Sequence, residues 1–231
     1  IKAGAKIHTG SAVIETSEAD GKKIVKTADG EVHADWIIVS TDAYSTGPWA
    51  QIRREQVHLP YFNLATKPLS ANLRGSVLPN CEGCWDTKEV LSSFRMDKAG
   101  RLVFGSVGAL RGTGIDVHTS WARRSLKRLF PQLGDVEFEA EWHGKIGMTD
   151  NALPRFHKFG RNVIGFSGYN GRGISPGTNF GKVLARHILG EITEEDLPLP
   201  LTGITEPGFR TIKEAYYEAG AQIAHFTGER F

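Results

Sequence analysis

A short apolar strand, a turn crowded with glycine and an amphipathic helix follow one another late in the chain, and this succession constrains the fold most. The predicted strand covers residues 161–166 and the predicted helix covers residues 175–189. Glycine recurs at positions 165, 168, 171, 173, 177 and 181. A strand that passes through a short turn into a helix is typical of α/β folds. The sequence therefore predicts an α/β element at this point of the chain.

The glycine turn has two interpretations. A helix N-terminus carries unpaired N–H groups and the positive end of the helix dipole, so it favours anions and electron-rich acceptors, and glycine lets a flat ligand approach. Alternatively, the glycines allow the helix to pack closely on the strand. Ser175 is predicted as the helix cap, with Pro176 at the first helical position. The stretch is neither a dinucleotide fingerprint nor a Walker A loop, because its glycine spacing differs from both.

Two styles of secondary structure precede the turn. The first 45 residues read as a small antiparallel meander whose last segment, Trp36–Ser40, is apolar enough for a parallel strand covered on both faces. The middle of the chain reads as longer strands with one helix, which Thr119 caps and Pro131 stops after Leu129. A final helix is predicted at 209–225. The predicted strands cover residues 5–8, 12–16, 22–27, 31–40, 57–66, 89–96, 101–105 and 136–147, with a hairpin turn at 97–100.

Composition excludes several classes of function. The chain of 231 residues has a formal net charge of +2 and no long basic run, so nucleic acid is not expected as a partner. No apolar stretch approaches the roughly 20 residues that span a bilayer, so no membrane segment is predicted. The chain opens with Ile1 instead of Met, in sequence that already reads as the interior of a domain. We therefore expect a truncated N-terminus.

Two smaller features leave alternatives open. The cysteines Cys81 and Cys84 form one CEGC motif, which is a redox pair, half of a zinc site or simply two loop thiols. A second half of a zinc site is missing, so no metal site is predicted, and a reducing cytoplasmic setting is expected. The middle helix carries Arg123, Arg124, Lys127 and Arg128, which either bind an anion or form a solvated face.

The glycine turn resembles the C-terminal flavin motif of the FAD-dependent D-amino-acid oxidase, glycine oxidase and sarcosine oxidase family. The likeness covers nearly the whole chain. The opening from GAKIHTGSAV to DWIIVSTDAYS is similar to the family's adenine-side meander and following strand, and SSFRMDKAGRLVFG and EWHGKIGMTDNALPRF are similar to its substrate-domain strands. Within the family, the sequence resembles the γ-glutamylputrescine oxidoreductases in particular, including the tail after Pro200.

The resemblance implies an FAD site on this chain. Val13 matches a position whose backbone meets the adenine, although it also suits an ordinary strand. Thr41, Asp42 and Ala43 match the strand end near the pyrophosphate, although Asp42 is also a turn former. The residues that match the turn beside the isoalloxazine are Gly168, Tyr169, Asn170, Gly171, Arg172, Gly173 and Ile174. Their amides would stabilise negative charge on the reduced ring.

The substrate side is implied less completely. Tyr169 and His143 are expected to line the pocket and handle protons, or else to be packed, hydrogen-bonded residues. Family members that oxidise free amino acids pair the carboxylate with an arginine, but the comparable stretch 147–150 has none. Either Arg172 or Arg155 supplies that charge, or the substrate is a polyamine-type amine.

These observations predict a mixed α+β and α/β fold: an antiparallel-sheet substrate domain plus the C-terminal half of an FAD-binding Rossmann-like domain. The predicted segments are 1–47 and 148–200 for FAD binding, 48–147 for the substrate domain and 201–231 for a tail helix. We expect the C-terminal portion of an FAD-dependent oxidoreductase that oxidises an amine by hydride transfer. The N-terminal Rossmann segment with G-x-G-x-x-G is missing, so the fragment is expected to be inactive and FAD to bind only the full-length protein. The alternative is a non-enzymatic α+β module that binds a small ligand or a partner.

Overall fold

The computed structural model describes residues 3–230, which form two compact units. One unit contains the chain up to Val57 together with Gly147–Gly208, and the other contains His58–Ile146 and the chain from Phe209 onward. Ile1, Lys2 and Phe231 belong to the predicted segments 1–47 and 201–231 but lie outside the described residues. The stretch predicted as a separate tail divides between the two units after Gly208.

The described residues contain twelve strands and five α-helices. The strands are β1 (Glu15–Ala19), β2 (Lys22–Lys26), β3 (Glu31–Ala34), β4 (Ile37–Val39), β5 (Val57–Thr66), β6 (Cys84–Trp85), β7 (Ser92–Met96), β8 (Leu102–Val107), β9 (Phe138–Met148), β10 (Arg155–Gly160), β11 (Val163–Ser167) and β12 (Leu201–Thr202). The helices are α1 (Ala50–Arg54), α2 (Ala71–Ser76), α3 (Gly114–Leu129), α4 (Ile174–Ile188) and α5 (Arg210–Thr227).

The first unit opens with the predicted meander. Strands β1, β2 and β3 form an antiparallel sheet, and the turn between β1 and β2 places Asp20 and Gly21 at φ of 51° and 74°. Asp tolerates this left-handed conformation and Gly adopts it freely. The strand predicted at residues 5–8 is wrong, because these residues are exposed and have no regular structure. A strand is stable when one face is buried, which this stretch does not achieve.

The second sheet of this unit carries the α/β element, in the order β12-β10-β11-β4. Strand β4 pairs in parallel with β11, which confirms the parallel strand predicted for Trp36–Ser40. Helix α4 covers the sheet by packing Phe180 and Leu184 on Phe156 and Ile164. The helix begins at Ile174 after Gly173 and has no side-chain cap, so the prediction of Ser175 as its cap is wrong.

The second unit is an antiparallel sheet, in the order β6-β7-β8-β5-β9, covered by α3. Its core contains Phe62, Phe104 and Trp121. Helix α3 starts at Gly114, so the prediction that Thr119 caps it is wrong. The extra residues mix Ile115 and Val117 with Gly114, Asp116 and the buried His118, so they do not continue the apolar spacing of the later turns.

The basic side chains of α3 hold the end of α5. Arg124 donates hydrogen bonds to the carbonyl oxygens of His225 at 2.8 Å and Gly228 at 3.0 Å. Arg128 pairs with Glu229 at 2.9 Å, and its neighbours Arg123 and Lys127 are exposed. Arg124 therefore caps the last turn of α5, and Arg128 holds Glu229 just beyond it. The exposed Arg123 lies over the Phe138 ring at 5.6 Å.

Two buried histidines join α3 to α5. His118 Nδ1 lies 2.8 Å from His225 Nδ1, and His225 Nε2 lies 3.3 Å from Ser106 Oγ. One arrangement of protons satisfies every contact: His118 donates to His225, His225 donates to Ser106, and Ser106 donates to the Leu91 carbonyl at 2.6 Å. The His225 ring stacks on Trp121 with centroids 3.7 Å apart. Both imidazoles are therefore held neutral in the core of this unit.

Three further findings concern membranes, metals and thiols. No helix in residues 3–230 combines the length and the apolar character needed to cross a membrane. In the same residues, no group of three or more His, Cys, Asp or Glu side chains is placed to hold a metal ion. Cys81 and Cys84 are both free thiols, and Cys84 lies in β6.

Candidate functional site

The parallel pair β4 and β11 brings two predicted segments to one edge of the sheet. Val39 lies opposite Gly165 in this pair, so both strands end side by side. Residues 41–43 follow β4, and residues 168–174 follow β11. In α/β sheets the carboxyl ends of the strands form the usual ligand crevice. The two predicted segments therefore lie side by side at this edge of the sheet.

Asp42 links the two segments directly. Its carboxylate Oδ1 accepts a hydrogen bond from the Gly168 amide at 2.7 Å. Both residues have left-handed backbones, with φ of 45° for Asp42 and 73° for Gly168. A Cβ at position 168 would lie 2.4 Å from Thr149 Cγ2, so only glycine fits there. The two neighbours of Asp42 complete the strand end: Thr41 Oγ1 lies 2.7 Å from Ser45 Oγ, and Ala43 is buried.

Asn170 fastens the turn to the end of β9. Its side-chain oxygen accepts from the Thr149 amide at 2.8 Å, and its Nδ2 donates to Thr149 Oγ1 at 3.1 Å. Its backbone amide donates to the Gly147 carbonyl at 3.1 Å. Asn170 has a φ of 53°, a left-handed conformation that asparagine tolerates. The turn is thus held at a fixed position within its own unit.

The amides of the turn alternate between engaged and unengaged. Those of Gly168 and Asn170 are bonded as described, and the Arg172 amide donates to the Tyr169 carbonyl at 2.9 Å. The amides of Gly171, Gly173 and Ile174 have no acceptor within residues 3–230. Unpaired N–H groups at the start of a helix are suited to an electron-rich ligand edge. These residues therefore fit the isoalloxazine side of an FAD site.

Three glycines of the stretch pack closely against neighbouring residues. A Cβ on Gly173 would lie 3.3 Å from the Tyr169 ring, and one on Gly177 would lie 3.3 Å from its hydroxyl oxygen. A Cβ on Gly165 would lie 2.9 Å from Phe159 Cε2. Both interpretations of the glycine turn therefore apply: Gly165 and Gly177 pack closely, and Gly173 packs against the Tyr169 ring while its amide has no acceptor among the described residues.

Tyr169 is a packed residue with a protonated phenol. Its ring meets Phe166 edge-on with centroids 5.6 Å apart. Burial raises the pKa of Tyr169 to about 12, and the nearby negative charge of Asp42 adds to this rise. The phenol is therefore a hydrogen-bond donor near neutral pH and is unsuited to act as a base.

The remaining predicted residues fall in different surroundings. Val13 is half-buried and packs against a cluster that contains Ile37, Val39, Trp49 and Ile52. This packing agrees with a structural role for Val13. His143 belongs to β9 in the second unit, where its side chain is exposed.

The two arginines considered for a substrate carboxylate also differ. Arg155 pairs with Asp150 and lies 3.7 Å from Glu55, so its guanidinium is already engaged. Arg172 is exposed and forms no ion pair with any described residue.

Two side chains that hold the site were not among the predicted residues. Gln56 Nε2 donates to Asp42 Oδ1 at 2.8 Å, and Thr149 Oγ1 accepts from Asn170 Nδ2 at 3.1 Å. Each is a single polar residue next to a strand, without a motif around it. Their role is visible only from their hydrogen bonds in the structure, so a single sequence gives no signal for either residue.

A glycine turn that enters a helix at the end of a parallel strand, in a chain that also contains an antiparallel-sheet unit, is the arrangement of a flavin-dependent oxidoreductase. Residues 1–187 match the profile of the FAD dependent oxidoreductase family, and the chain belongs to that family. This confirms the resemblance found in the sequence. It also favours the oxidoreductase over the alternative of a non-enzymatic binding module.

Curated relatives of the chain include bacterial oxidoreductases. It is 30% identical over 230 residues to the probable oxidoreductase OrdL of Haemophilus influenzae, which covers 96% of this chain and 52% of that protein. It is 26% identical over 220 residues to the gamma-glutamylputrescine oxidoreductase of Escherichia coli, covering 94% of this chain and 51% of that protein. The chain thus spans about half the length of the curated relatives that it matches.

Solved structures show the same fold. Glycine oxidase from Geobacillus kaustophilus aligns with a TM-score of 0.62 and 17% identity, covering 87% of this chain and 54% of that one. A thermally stable mutant of fructosyl peptide oxidase aligns with a TM-score of 0.69 and 16% identity, covering 92% of this chain and 57% of that one. The predicted mixed fold, with its antiparallel sheet, is therefore confirmed.

Proposed function

We propose that this chain supplies the isoalloxazine-side wall and the substrate-domain sheet of an FAD-dependent oxidoreductase that oxidises an amine. The observation that carries the proposal is the set of unengaged amides at Gly171, Gly173 and Ile174, at the carboxyl edge of a parallel strand pair. Membership of the FAD dependent oxidoreductase family supports it. The amine class is suggested by the gamma-glutamylputrescine oxidoreductase among the relatives.

The chemistry that FAD supplies when bound is acceptance of a hydride from the carbon beside an amine nitrogen. The amides of Gly171 and Gly173 would hold the edge of the ring where negative charge develops. Tyr169, protonated and half-buried, supports the start of α4 and keeps a phenol O–H as a donor. The role proposed for Tyr169 is thus donation and support, and His143 keeps a proposed role in lining the substrate side.

The substrate class follows from the arginines. Arg155 is engaged by Asp150, so it is unsuited to pair a substrate carboxylate. Arg172, exposed within the turn, is the arginine that would meet a free amino acid. If Arg172 does not take this role, the substrate is an amine without a carboxylate at that point, such as a polyamine derivative. We favour the polyamine type, because stretch 147–150 offers a threonine and an aspartate but no cation.

FAD binding requires a grip on its diphosphate that this sequence does not contain. A G-x-G-x-x-G loop at a helix N-terminus normally provides it. We propose that this loop belongs to the part of the relatives' length that the chain does not span, and that Val13, Thr41, Asp42 and Ala43 complete the adenine and diphosphate side with it. FAD is then expected in the complete protein and to be weakly held or absent with this chain alone. Two free cysteines support a cytoplasmic setting.

The test is the colour of the polypeptide produced from the complete open reading frame that contains this chain. It should purify yellow, with flavin absorption bands, and Gly171→Val should abolish flavin retention because valine is strained at the φ of 77° of Gly171 and would displace its unengaged amide. Gly181→Val is the matched control, since a Cβ at this position in α4 faces open space. A colourless protein that takes up no added FAD would refute the proposal.

A substrate panel then separates the amine classes. Polyamines and their γ-glutamyl derivatives should reduce the bound flavin faster than D-amino acids or N-methyl amino acids. Arg172→Gln should leave the reaction with a polyamine unchanged. A large rise of KM for an amino acid in this variant, together with a preference for amino acids in the wild type, would overturn the polyamine assignment and identify Arg172 as the carboxylate-binding residue.

A further inference from the structure

Two adjacent buried residues after α1 are linked by side-chain contacts to the two strand ends that carry the glycine-turn site. Gln56 is completely buried, and its Nε2 donates to Asp42 Oδ1 at 2.8 Å. Glu55 is 4% exposed, and its Oε2 lies 2.8 Å from His157 Nε2. A Cβ on Gly147 would lie 2.0 Å from the Gln56 side-chain oxygen, so glycine at 147 makes room for this amide.

His157 extends the contact to the last residue of β11. Its Nδ1 donates to the Thr202 carbonyl at 3.0 Å, and its Nε2 lies 3.4 Å from Ser167 Oγ. The same Nε2 thus lies near both the Glu55 carboxylate and the Ser167 hydroxyl. Ser167 and His157 are buried, and Ser167 is followed directly by Gly168.

These contacts close a ring around the point where β11 becomes the turn. Glu55 contacts His157, which in turn contacts Ser167. Gln56 donates to Asp42, which in turn accepts from the Gly168 amide. The last strand residue and the first turn residue are thus each held by one of two consecutive side chains. Asp42 accepts both of its hydrogen bonds on one oxygen while its φ is 45°. Such a conformation persists where the surroundings over-determine it, and such sites are often functional.

We infer that Asp42 is a positioning residue: its carboxylate, held by Gln56, fixes the Gly168 amide and thereby aims the unengaged amides of the turn, while the Glu55–His157 pair holds the preceding Ser167. This inference rests on the proposed function, since those amides are the groups proposed to face the flavin. Its physical core is a hydrogen bond to a charged acceptor, which is stronger than one to a neutral acceptor. The role is geometric, so an uncharged acceptor of the same shape should preserve most of it.

The test compares Asp42→Ala with Asp42→Asn in the chain of 231 residues. Amide hydrogen exchange at Gly168 is followed by NMR with ¹⁵N-glycine labelling. Alanine removes the acceptor, so exchange at Gly168 should accelerate by at least about tenfold, and the Gly171 and Gly173 signals should shift. Asparagine keeps an oxygen at the same place and should restore both. Gly181, in α4, serves as the internal control that a local effect leaves unchanged.

A second variant keeps the inference testable if Asp42→Ala does not fold. Gln56→Leu leaves the carboxylate but removes its supporting donor, so exchange at Gly168 should rise by a smaller factor, about threefold. Unchanged exchange in both Asp42→Ala and Gln56→Leu, or an equal disturbance of Gly181, would overturn the positioning role. So would an asparagine variant that behaves like alanine.

Flavin binding gives the second readout. In the polypeptide from the complete open reading frame, Asp42→Ala should weaken FAD binding by at least about tenfold and Asp42→Asn by less than about threefold. If the wild-type polypeptide takes up no FAD, the proposed function fails, but the hydrogen-exchange data still test whether Asp42 positions the Gly168 amide. If FAD binds equally well to all variants, the positioning role fails while the proposed function stands.

Discussion

Acidification from pH 7 to pH 5 is expected to destabilise the unit that contains α3 and α5. The reason is the His118–His225 pair, which is buried with one Nδ1 facing the other at 2.8 Å. Burial lowers the pKa of His118 from 6.5 to about 4, and the nearby Glu218 carboxylate opposes this shift only in part. Burial lowers the pKa of His225 to about 3, and the charges of His118, Arg124 and Lys88 add to it.

The sign and size follow from proton linkage. The unfolded histidines titrate near pH 6.5 and the folded ones near 4 and 3, so the unfolded chain binds more protons between these values. The contribution of the two neutral histidines to the free energy of unfolding is therefore fully present above pH 6.5 and is lost as the pH falls towards 4. Each histidine contributes about 1.4 kcal/mol per pH unit, so the pair loses about 4 kcal/mol between pH 6.5 and pH 5.

Urea unfolding at pH 7, 6 and 5 measures this loss, with tryptophan fluorescence as the signal because Trp121 stacks on His225. The window stays above 4.5, the ordinary glutamate pKa, so paired carboxylates with lowered pKa values contribute little. His225→Asn should reduce the pH-dependent loss to about half, about 2 kcal/mol. His33→Asn is the matched control, since His33 is an exposed histidine beside Glu31. A wild-type free energy that stays flat from pH 7 to pH 5, or an unchanged slope in His225→Asn, would refute the reasoning.

Gly177→Val should lower the free energy of unfolding by about 1–3 kcal/mol, because its Cβ would already lie 3.3 Å from the Tyr169 hydroxyl and its methyls overpack the site. Gly181→Ala in the same helix faces open space and should raise it by about 0.5–1 kcal/mol, so equal effects in urea unfolding would contradict the packing of Tyr169 on the helix. Arg124→Ala removes three hydrogen bonds to carbonyls at the end of α5 and should speed amide exchange there by at least about tenfold, while unchanged protection would show that the arginine does not anchor the helix. The ultraviolet difference between the wild type and Tyr169→Phe, followed against pH, should show one phenol with a midpoint near pH 12. A midpoint near pH 10 would contradict the burial of Tyr169.

The sequence predicted the elements that have a regular pattern. Strand β5 was predicted at its observed bounds, because apolar and aromatic residues recur along all ten of its positions. Helix α5 was predicted within two residues at each end. Short elements such as α1, α2, β6 and β12 were missed, since two to six residues do not complete a recognisable period. Strand β10 was missed because its first residues, Arg155 and His157, are polar on faces that the fold buries.

The candidate site was predictable where it depends on backbone and unpredictable where it depends on neighbours. The glycine turn and the strand end at 41–43 stand out in the sequence, and the parallel pair brings them together. The support for that arrangement comes from Glu55 and Gln56, which are distant from Gly168 in the sequence, and from His157 on the adjacent strand β10. Because these three side chains are polar, the sequence predicts that they are exposed, and only the structure shows that they are buried. The starts of α3 and α4 were placed late for a related reason, because neither helix uses a side-chain cap.

The position of β4 at the border of its sheet has a practical consequence. Among the described strands, β4 is bonded on one side only, and Ile38 is 41% exposed on it. Its outer row of main-chain N–H and C=O groups is a template on which another extended segment can add. When the 231-residue chain is produced by itself, its yield of monomer should therefore depend on concentration, and a charged substitution at Ile38 should improve recovery without altering the turn beyond β11.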